Sequence, residues 1–260
     1  MKFSKKSLGQ NFLKDKNIIK KIVNLTEIND KNVVEIGPGY GALTDEILKK
    51  NPKSLYLIEK DNNLVNNLKL KYNENSSIKI VNDDVLKLNL EKIILKNSIV
   101  FGNLPYNISS QILVKFLKFE KWPPKFSEII FMFQKELGEK IIGEYLSPNY
   151  GRLSILTQYR VNLIKKFLVS PNCFIPKPKV NSIVLHLRPK SKNQIKIRKI
   201  NNLEKITNIL FSNKRKMINK NIKKILSSKD YKKIPGLKLH LRPSEMKPET
   251  FYKITKLYED

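Results

Sequence analysis

The sequence predicts a doubly wound α/β fold followed by a small basic helical segment, and three observations lead to this prediction. Seven short apolar runs have the composition of buried strands. Stretches of helical periodicity separate the first six runs, as in a mostly parallel sheet with helices on both faces. Beyond about residue 190 only short basic helices are expected. We therefore predict one domain over residues 1–188 and a second over residues 189–260.

The strand prediction depends on runs that are rich in Val, Ile, Leu and Phe. Their nearly continuous apolar character is typical of parallel strands that are buried on both faces. They lie at Asn32–Ile36, Leu55–Glu59, Ile78–Asn82, Ile99–Gly102, Glu128–Phe133, Ile164–Val169 and Ser182–Leu187.

The helix prediction depends on apolar residues that recur every three or four positions. In the first helix Asp15 suits the N-cap position. The alternating helices are predicted at Asp15–Leu25, Leu43–Lys50, Asn62–Tyr72, Ser109–Phe119, Lys135–Tyr145 and Arg152–Arg160. Those of the second domain are predicted at Leu203–Phe211, Met217–Leu226 and Pro248–Tyr258.

The charge of the chain is high and unevenly distributed. Lys and Arg number 51 against 23 Asp and Glu, a net charge of +28. Residues 188–260 alone contain 21 Lys and Arg but 6 Asp and Glu. A polyanionic partner such as RNA is the simplest reason to tolerate this self-repulsion. The alternative is a proteome biased towards Lys, Asn and Ile, which would place lysines on solvated faces without a partner.

Composition also bounds the compartment and the chemistry. The longest apolar run, Ile129–Phe133, has the length of a strand, so no membrane span is expected. The basic first ten residues lack the apolar stretch of a signal peptide. One cysteine and two histidines predict neither a disulfide nor a metal site. These features indicate a cytoplasmic protein that needs no metal.

A glycine-rich turn, Glu35 to Gly41, directly follows the first predicted strand. Glycines are needed where a ligand approaches the backbone more closely than a Cβ permits. Glu59 ends the next strand, where a carboxylate accepts hydrogen bonds from ribose hydroxyls. Asp84 follows the third strand and is placed to accept an amino proton from adenine. Such carboxylates suit a nucleoside with a cationic sulfonium better than a polyphosphate, although the glycines and Glu59 also fit a dinucleotide site.

The tetrapeptide Asn103-Leu104-Pro105-Tyr106 follows the fourth predicted strand. The exocyclic amine of adenine is a poor nucleophile because its lone pair is delocalised into the ring. The Asn103 side chain and the Leu104 carbonyl, which Pro105 holds extended, suit the two N–H groups of such an amine. Tyr106 offers a flat face for the base, and catalysis by positioning needs no strong base. Alone the tetrapeptide fits a simple turn equally well, but in this place it predicts methyl transfer to an adenine amine.

With these motifs the chain resembles the small-subunit ribosomal RNA adenine dimethyltransferases from about Leu8 to Arg188. The resemblance implies a class I, Rossmann-like methyltransferase fold with a seven-stranded sheet. It implies S-adenosylmethionine as cofactor, S-adenosylhomocysteine as product and no metal. The segment Leu8 to Leu13 is similar to the motif that helps to enclose the cofactor. The implied cofactor residues are Asn11, Leu13, Glu35, Gly37, Gly39, Glu59, Asp84, Val85 and Asn103.

Later segments extend the resemblance. Phe133–Glu136, Tyr150–Ser154 and Phe174–Val180 are similar to further family blocks, and Phe174 is implied as a second stacking surface opposite Tyr106. The implied catalytic residues are thus Asn103, Leu104, Pro105, Tyr106 and Phe174. RNA contacts are expected at Lys177, Lys179, Lys214, Arg215 and Lys216, although the run 214–216 is also compatible with a solvated helix end.

The resemblance implies four methyl transfers to two adjacent adenosines near the 3′ end of small-subunit, 16S-type rRNA. It further implies a role in late assembly of the small ribosomal subunit, and we expect a monomer. Three alternatives stay open at this point. They are a large-subunit rRNA methyltransferase of the macrolide-resistance type, a non-catalytic ribosome-assembly or transcription factor, and a dinucleotide oxidoreductase.

Overall fold

The computed structural model describes residues 10–260, so Leu8 and Gly9 of the N-terminal motif lie outside the described residues. The chain forms two compact units. Of the described residues, the first unit contains 10–116, 124–138 and 163–189, and the second contains 117–123, 139–162 and 190–260. The second unit thus includes two segments that precede residue 188. The division into domains at 188/189 stays a prediction.

A seven-stranded sheet forms the centre of the first unit. Its strands are β2 (Asn32–Ile36), β3 (Ser54–Glu59), β4 (Ile78–Asn82), β5 (Ser98–Asn103), β6 (Phe126–Gln134), β7 (Val161–Val169) and β9 (Ser182–Pro189). Their spatial order is β4-β3-β2-β5-β6-β9-β7. The first five of these are parallel, whereas β9 runs antiparallel to β6. All seven predicted strands are confirmed as strands of this sheet. The apolar side chains of the central strands are buried, whereas the edge strand β4 is only partly buried and the edge strand β7 is largely exposed, so the burial predicted for these two runs is wrong.

Two further strands are too short to leave a periodic pattern in the sequence. They are β1 (Phe12–Leu13) and β8 (Phe174–Ile175), which pair antiparallel to each other. Lys14 N–H also donates to the Cys173 carbonyl at 2.8 Å, next to this pair. The pair joins the start of the described chain to the segment before β9.

Helices alternate with the strands as predicted. They are α1 (Lys16–Val23), α2 (Ala42–Leu48), α3 (Asn62–Lys71), α4 (Leu90–Ile93), α5 (Ser109–Leu117), α6 (Lys135–Ile141) and α7 (Arg152–Arg160). Asp15 caps α1 by accepting from the backbone N–H groups of Asn17 and Ile18, both at 2.9 Å. The prediction extended α6 to Tyr145 and was wrong there, because the backbone of Asn149 packs directly against Gly143 and requires the chain to turn back.

The core of the first unit lies between the sheet and the apolar face of α1 and α2. Ile19 and Ile22 from α1 pack there with Val33, Leu55 and Phe101 from three adjacent strands. Burial of large aliphatic and aromatic side chains is the main favourable contribution to the stability of such a layer. The polar ends of the strands are left at the edge of the sheet.

The second unit is helical apart from short irregular segments. Besides α7 it contains α8 (Ile200–Phe211), α9 (Asn219–Ile222), α10 (Ser228–Tyr231) and α11 (Pro248–Glu259). Phe211 and Phe251 stack with ring centroids 5.6 Å apart. The helix predicted over Met217–Leu226 is only four residues long, because three-residue turns such as Ile225 N–H to the Ile222 carbonyl replace the helix after its first turn.

Among residues 10–260, no helix combines the length and the apolar character needed to cross a bilayer.

Candidate active site

Parallel strands bring the predicted cofactor residues to one edge of the first unit. Because β4, β3, β2 and β5 are neighbours in register, their carboxyl ends meet at the same edge. A cavity of about 210 Å³ opens there, which we call the carboxylate cavity. Its lining includes the predicted residues Asn11, Gly37, Gly39, Glu59, Asp84, Val85, Asn103, Leu104, Pro105 and Tyr106.

The glycine turn is shaped by close contacts as well as by backbone conformation. Gly37 and Gly39 have φ angles of +66° and +60°, a region that side chains with a Cβ rarely adopt. A Cβ at Gly39 would lie 2.9 Å from the ring of Phe12. The ring of Phe12 therefore packs directly against the glycine turn, and no residue larger than glycine fits at position 39 without a shift of that ring.

Glu59 faces the carboxylate cavity from the end of β3. Its Oε1 accepts from the backbone N–H groups of Lys60 and Asp61 at 2.9 Å, and its Oε2 accepts from Gly39 N–H at 3.3 Å. Burial raises the pKa of Glu59, and these N–H donors act in the opposite direction. A carboxyl group held by three N–H donors is a preorganised acceptor for hydroxyl groups.

Asp84 lies on the other side of the same cavity. Lys60 Nζ lies 2.9 Å from its Oδ2, and the backbone N–H of Leu86 donates to its Oδ1 at 2.9 Å. The hydrogen bond from Lys60 lowers the pKa of Asp84, so the carboxylate is charged at neutral pH. Val85 is buried beside it and gives this wall an apolar surface.

Asn103 ends β5, and its side chain is oriented by the start of the chain. Its Nδ2 donates to the backbone carbonyl of Asn11 at 2.9 Å. Because a carbonyl can only accept, the nitrogen of the Asn103 amide faces Asn11 and the oxygen points away from it. Gly37 packs beneath this turn, since a Cβ there would lie 3.7 Å from the Asn103 carbonyl oxygen. The arrangement leaves one amide oxygen as an acceptor at the cavity.

Tyr106 follows in the same turn and is fixed by a buried partner. Its hydroxyl lies 2.6 Å from Ser182 Oγ, and Ser182 at the start of β9 is fully buried. Burial raises the pKa of Tyr106, so the phenol stays neutral in the physiological range. The ring is thus held at its far end while its body lines the cavity.

Phe174 lies apart from this group. It is buried in the core cluster of the first unit with Leu13 and Cys173, and it is absent from the lining of the carboxylate cavity. In this structure Phe174 and Tyr106 are therefore not brought together across the cavity. Its exposed neighbour in β8 is Ile175.

Glu35 and Leu13 line a second cavity of about 810 Å³, which we call the apolar cavity. Glu35 is only 1% exposed and accepts a hydrogen bond from Thr44 Oγ1 at 2.6 Å. Burial raises the pKa of Glu35 to about 8, so its carboxyl group keeps a proton at neutral pH. Glu35 is therefore a neutral, buried group at the end of β2, and it does not line the carboxylate cavity.

The residues predicted to contact RNA are exposed. Lys177 and Lys179 lie in the loop after β8 in the first unit. Lys214, Arg215 and Lys216 lie between α8 and α9 in the second unit. Among residues 10–260, no group of three or more His, Cys, Asp or Glu side chains is arranged to hold a metal ion.

The sequence did not indicate three further residues of this edge. Phe12 covers Gly39, Lys60 pairs with Asp84, and Ser182 holds Tyr106. Ser182 is 76 positions from Tyr106, and no short motif connects positions so far apart. Only the contact of Lys60 with Asp84 was weakly indicated by the sequence. Lys60 follows Glu59 at the end of β3, and the ends of β3 and β4 meet at one edge of the sheet.

A family model for ribosomal RNA adenine dimethylases matches residues 1–260. The chain belongs to this family. As a member it is an enzyme, an S-adenosylmethionine-dependent rRNA adenine dimethyltransferase, and a dinucleotide oxidoreductase is excluded.

Relatives of this dimethylase are similar over nearly its whole length. It is 45% identical over 258 residues to the ribosomal RNA small subunit methyltransferase A of Pelagibacter ubique, which covers 99% of this chain and 97% of that protein. It is 41% identical over 217 residues to the protein of the same name from Mycoplasmopsis synoviae, covering 84% of this chain and 81% of the relative.

Solved structures agree on the fold of the dimethylase. A dimethyladenosine transferase from Plasmodium falciparum has a TM-score of 0.74 at 24% identity, covering 94% of this chain and 95% of that one. The 23S rRNA methyltransferase ErmE has a TM-score of 0.70 at 22% identity, covering 96% and 100%. These similarities confirm the predicted Rossmann-like methyltransferase fold.

Proposed function

We propose that this dimethylase transfers methyl groups from S-adenosylmethionine to the exocyclic amines of two adjacent adenosines near the 3′ end of small-subunit rRNA. The product is N6,N6-dimethyladenosine, and the transfer takes place late in assembly of the small ribosomal subunit. The observation that carries the proposal is the oriented amide of Asn103 at the cavity that contains Glu59 and Asp84. The names of relatives at 41–45% identity support the choice of subunit.

The residues at the sheet edge fit S-adenosylmethionine. Two ionised or hydrogen-bonded carboxylates, Glu59 and Asp84, suit ribose hydroxyls and an adenine amino group, and Val85 offers an apolar surface to the adenine ring. Gly37 and Gly39 line the same cavity without a Cβ, so a ligand there can approach the backbone closely. We further assign cofactor contacts to Asn11, Gly37, Gly39 and Asn103, whereas Leu13 and Glu35, which the resemblance also implies, line the apolar cavity instead. When bound, the cofactor supplies a methyl group on a cationic sulfur.

The chain itself positions the adenine amine. The Asn103 oxygen and the Leu104 carbonyl accept hydrogen bonds from its two N–H groups, which turns the nitrogen lone pair towards the methyl donor. Pro105 holds the extended backbone of Leu104, and Tyr106 stacks on the base. The amine becomes acidic only after it is alkylated, so its proton leaves to water without a strong base. We keep Phe174 as a proposed second stacking residue, which requires β8 to move because its ring is buried.

The RNA substrate is proposed to contact both units through exposed cations. Lys177 and Lys179 lie in the first unit and the run 214–216 in the second. A net charge of +28 favours binding to a polyanion and opposes self-association, which supports a monomer. A single cysteine agrees with action in the cytoplasm. No metal takes part in the proposed reaction.

Incorporation of labelled methyl from S-adenosylmethionine into undermethylated ribosomal subunits tests the proposal. Small and large subunits are assayed separately, and the modified nucleosides are identified. Dimethyladenosine in small-subunit RNA alone is the expected result.

Two other outcomes would replace the proposal. Label in large-subunit RNA would favour the second candidate, which is supported by the structural similarity to ErmE. RNA binding without label in either subunit would favour a non-catalytic assembly factor.

A further inference from the structure

The apolar cavity adjoins the carboxylate cavity but has a different lining. Phe12, Gly37 and Asn103 line both, so the two cavities open on either side of the same residues. The remaining lining of the apolar cavity is largely aliphatic or aromatic and includes Leu13, Pro38, Tyr40, Ala42, Leu43, Ile175 and Pro176. This surface is suited to a flat, poorly charged group.

The ionisable groups at the apolar cavity include one buried carboxyl group and two exposed lysines. Glu35 forms part of the lining and is protonated at neutral pH, so it adds no negative charge. Lys14 lines the cavity and is exposed. Lys177 directly follows Pro176 and is exposed as well. A neutral interior with cations outside it suits a nucleobase whose phosphate lies in solvent.

Tyr40 provides a stacking surface at this cavity. The residue is 47% exposed, and its ring meets the ring of Phe12 edge to face with centroids 4.7 Å apart. Phe12 thus steadies Tyr40 while part of the tyrosine ring faces outward. Aromatic rings placed in this way bind bases of single-stranded RNA with little sequence preference.

We propose that the apolar cavity binds the base of the nucleotide that adjoins the reacting adenosine, with Tyr40 as its stacking residue and Lys14 beside its phosphate. The inference rests on the proposed function, because it needs an RNA strand with one adenosine at Asn103. Since the apolar cavity reaches Asn103, a nucleotide bound in it and the adenosine held at Asn103 can be neighbours on one strand.

The experiment uses single-stranded RNA oligonucleotides in which 2-aminopurine replaces the base on either side of one adenosine. Binding of the full-length enzyme with S-adenosylhomocysteine is followed by anisotropy, and stacking by quenching of 2-aminopurine. We compare the wild type with Tyr40→Ala, Tyr40→Phe and the control Leu70→Ala, which changes a residue on α3 that is 77% exposed and lines neither cavity.

We expect quenching at one flanking position with the wild type, Tyr40→Phe and Leu70→Ala. Tyr40→Ala should lose the quenching and bind RNA about 10-fold more weakly, as for loss of one stacked base. Its affinity for S-adenosylmethionine should stay unchanged. The KM for undermethylated small subunits is a second measurement. It should rise by a similar factor in Tyr40→Ala and stay unchanged in Tyr40→Phe and Leu70→Ala.

Unchanged quenching and KM in Tyr40→Ala would overturn the inference. Loss of S-adenosylmethionine affinity with unchanged RNA affinity would also overturn it, since the cavity would then belong to the cofactor. The wild-type methylation assay separates the two proposals. If the wild type methylates small subunits but quenches no flanking base, and Tyr40→Ala leaves KM unchanged, the proposed base site in the apolar cavity is wrong while the proposed function stands.

Discussion

Replacing Glu35 by Gln should remove a large pH dependence from the stability of the first unit. Glu35 is buried in the middle of the sheet, and its pKa is raised from 4.5 to about 8. An unfolded chain loses this proton near pH 4.5, whereas the native protein keeps it. Between these values the unfolded state binds fewer protons, so the free energy of unfolding falls as the pH rises.

The size of the effect follows from the pKa shift. One pKa unit corresponds to about 1.4 kcal/mol, so the full shift is worth on the order of 5 kcal/mol. Between pH 5 and pH 7 the wild type should lose about 3 kcal/mol relative to Glu35→Gln. The glutamine keeps the shape of the protonated carboxyl group and has no proton to lose, so it should not follow this trend.

Native-state hydrogen exchange of buried amides in β2 and β5 measures this free energy. It reports on the sheet itself, whereas the single tryptophan, Trp122, belongs to the second unit. Glu74→Gln removes a charge from an exposed position and serves as the control. If the wild type and Glu35→Gln keep a constant difference from pH 5 to pH 7, Glu35 is charged in the native protein and the reasoning is wrong.

Three further predictions concern activity. Asn103→Ala should abolish methyl transfer while S-adenosylmethionine affinity, measured by titration, stays within a few-fold, because the change removes a contact to the reacting amine in the transition state; continued turnover would contradict this. Ser182→Ala removes one hydrogen bond, worth about 1 kcal/mol, and should lower kcat/KM for subunits about 5-fold. The double variant Ser182→Ala/Tyr106→Phe should lower kcat/KM no further than either single change. Additive losses in kcat/KM would show that the two hydroxyl groups act separately. Changing all of 214–216 to Ala should weaken RNA binding and flatten its dependence on salt, and an unchanged slope would mean that the run is only solvated surface.

Local patterns account for the part of the fold that the sequence predicts. The apolar run Asn32–Ile36 has the predicted bounds, because a buried parallel strand needs apolar side chains on both faces. The glycine turn and the strand-end acids meet at one edge of the sheet for a related reason. Parallel neighbours bring the ends of successive strands to one edge, so order along the chain predicts proximity.

Contacts between distant segments account for what the sequence does not predict. The tie from Asn103 to Asn11 spans 92 positions and depends on two-residue strands without periodicity. Glu35 stays protonated because it is completely buried. The sequence does not show this burial, and an acidic residue inside a cofactor motif suggests instead a charged side chain that contacts the ligand. Phe174 lies in the core because β8 pairs with β1, and a motif read as sequence carries no information about burial.

The partner that orients Asn103 is a main-chain carbonyl, and this has an evolutionary consequence. Every residue type at position 11 supplies the same oxygen, so mutation there does not delete the contact. The orientation of the amide is inherited from the path of the backbone, which the pairing of β1 with β8 maintains. Selection on this contact therefore acts on positions that hold the two strands together, such as Leu13 and Phe174. Neither of these residues takes part in the hydrogen bond to Asn103.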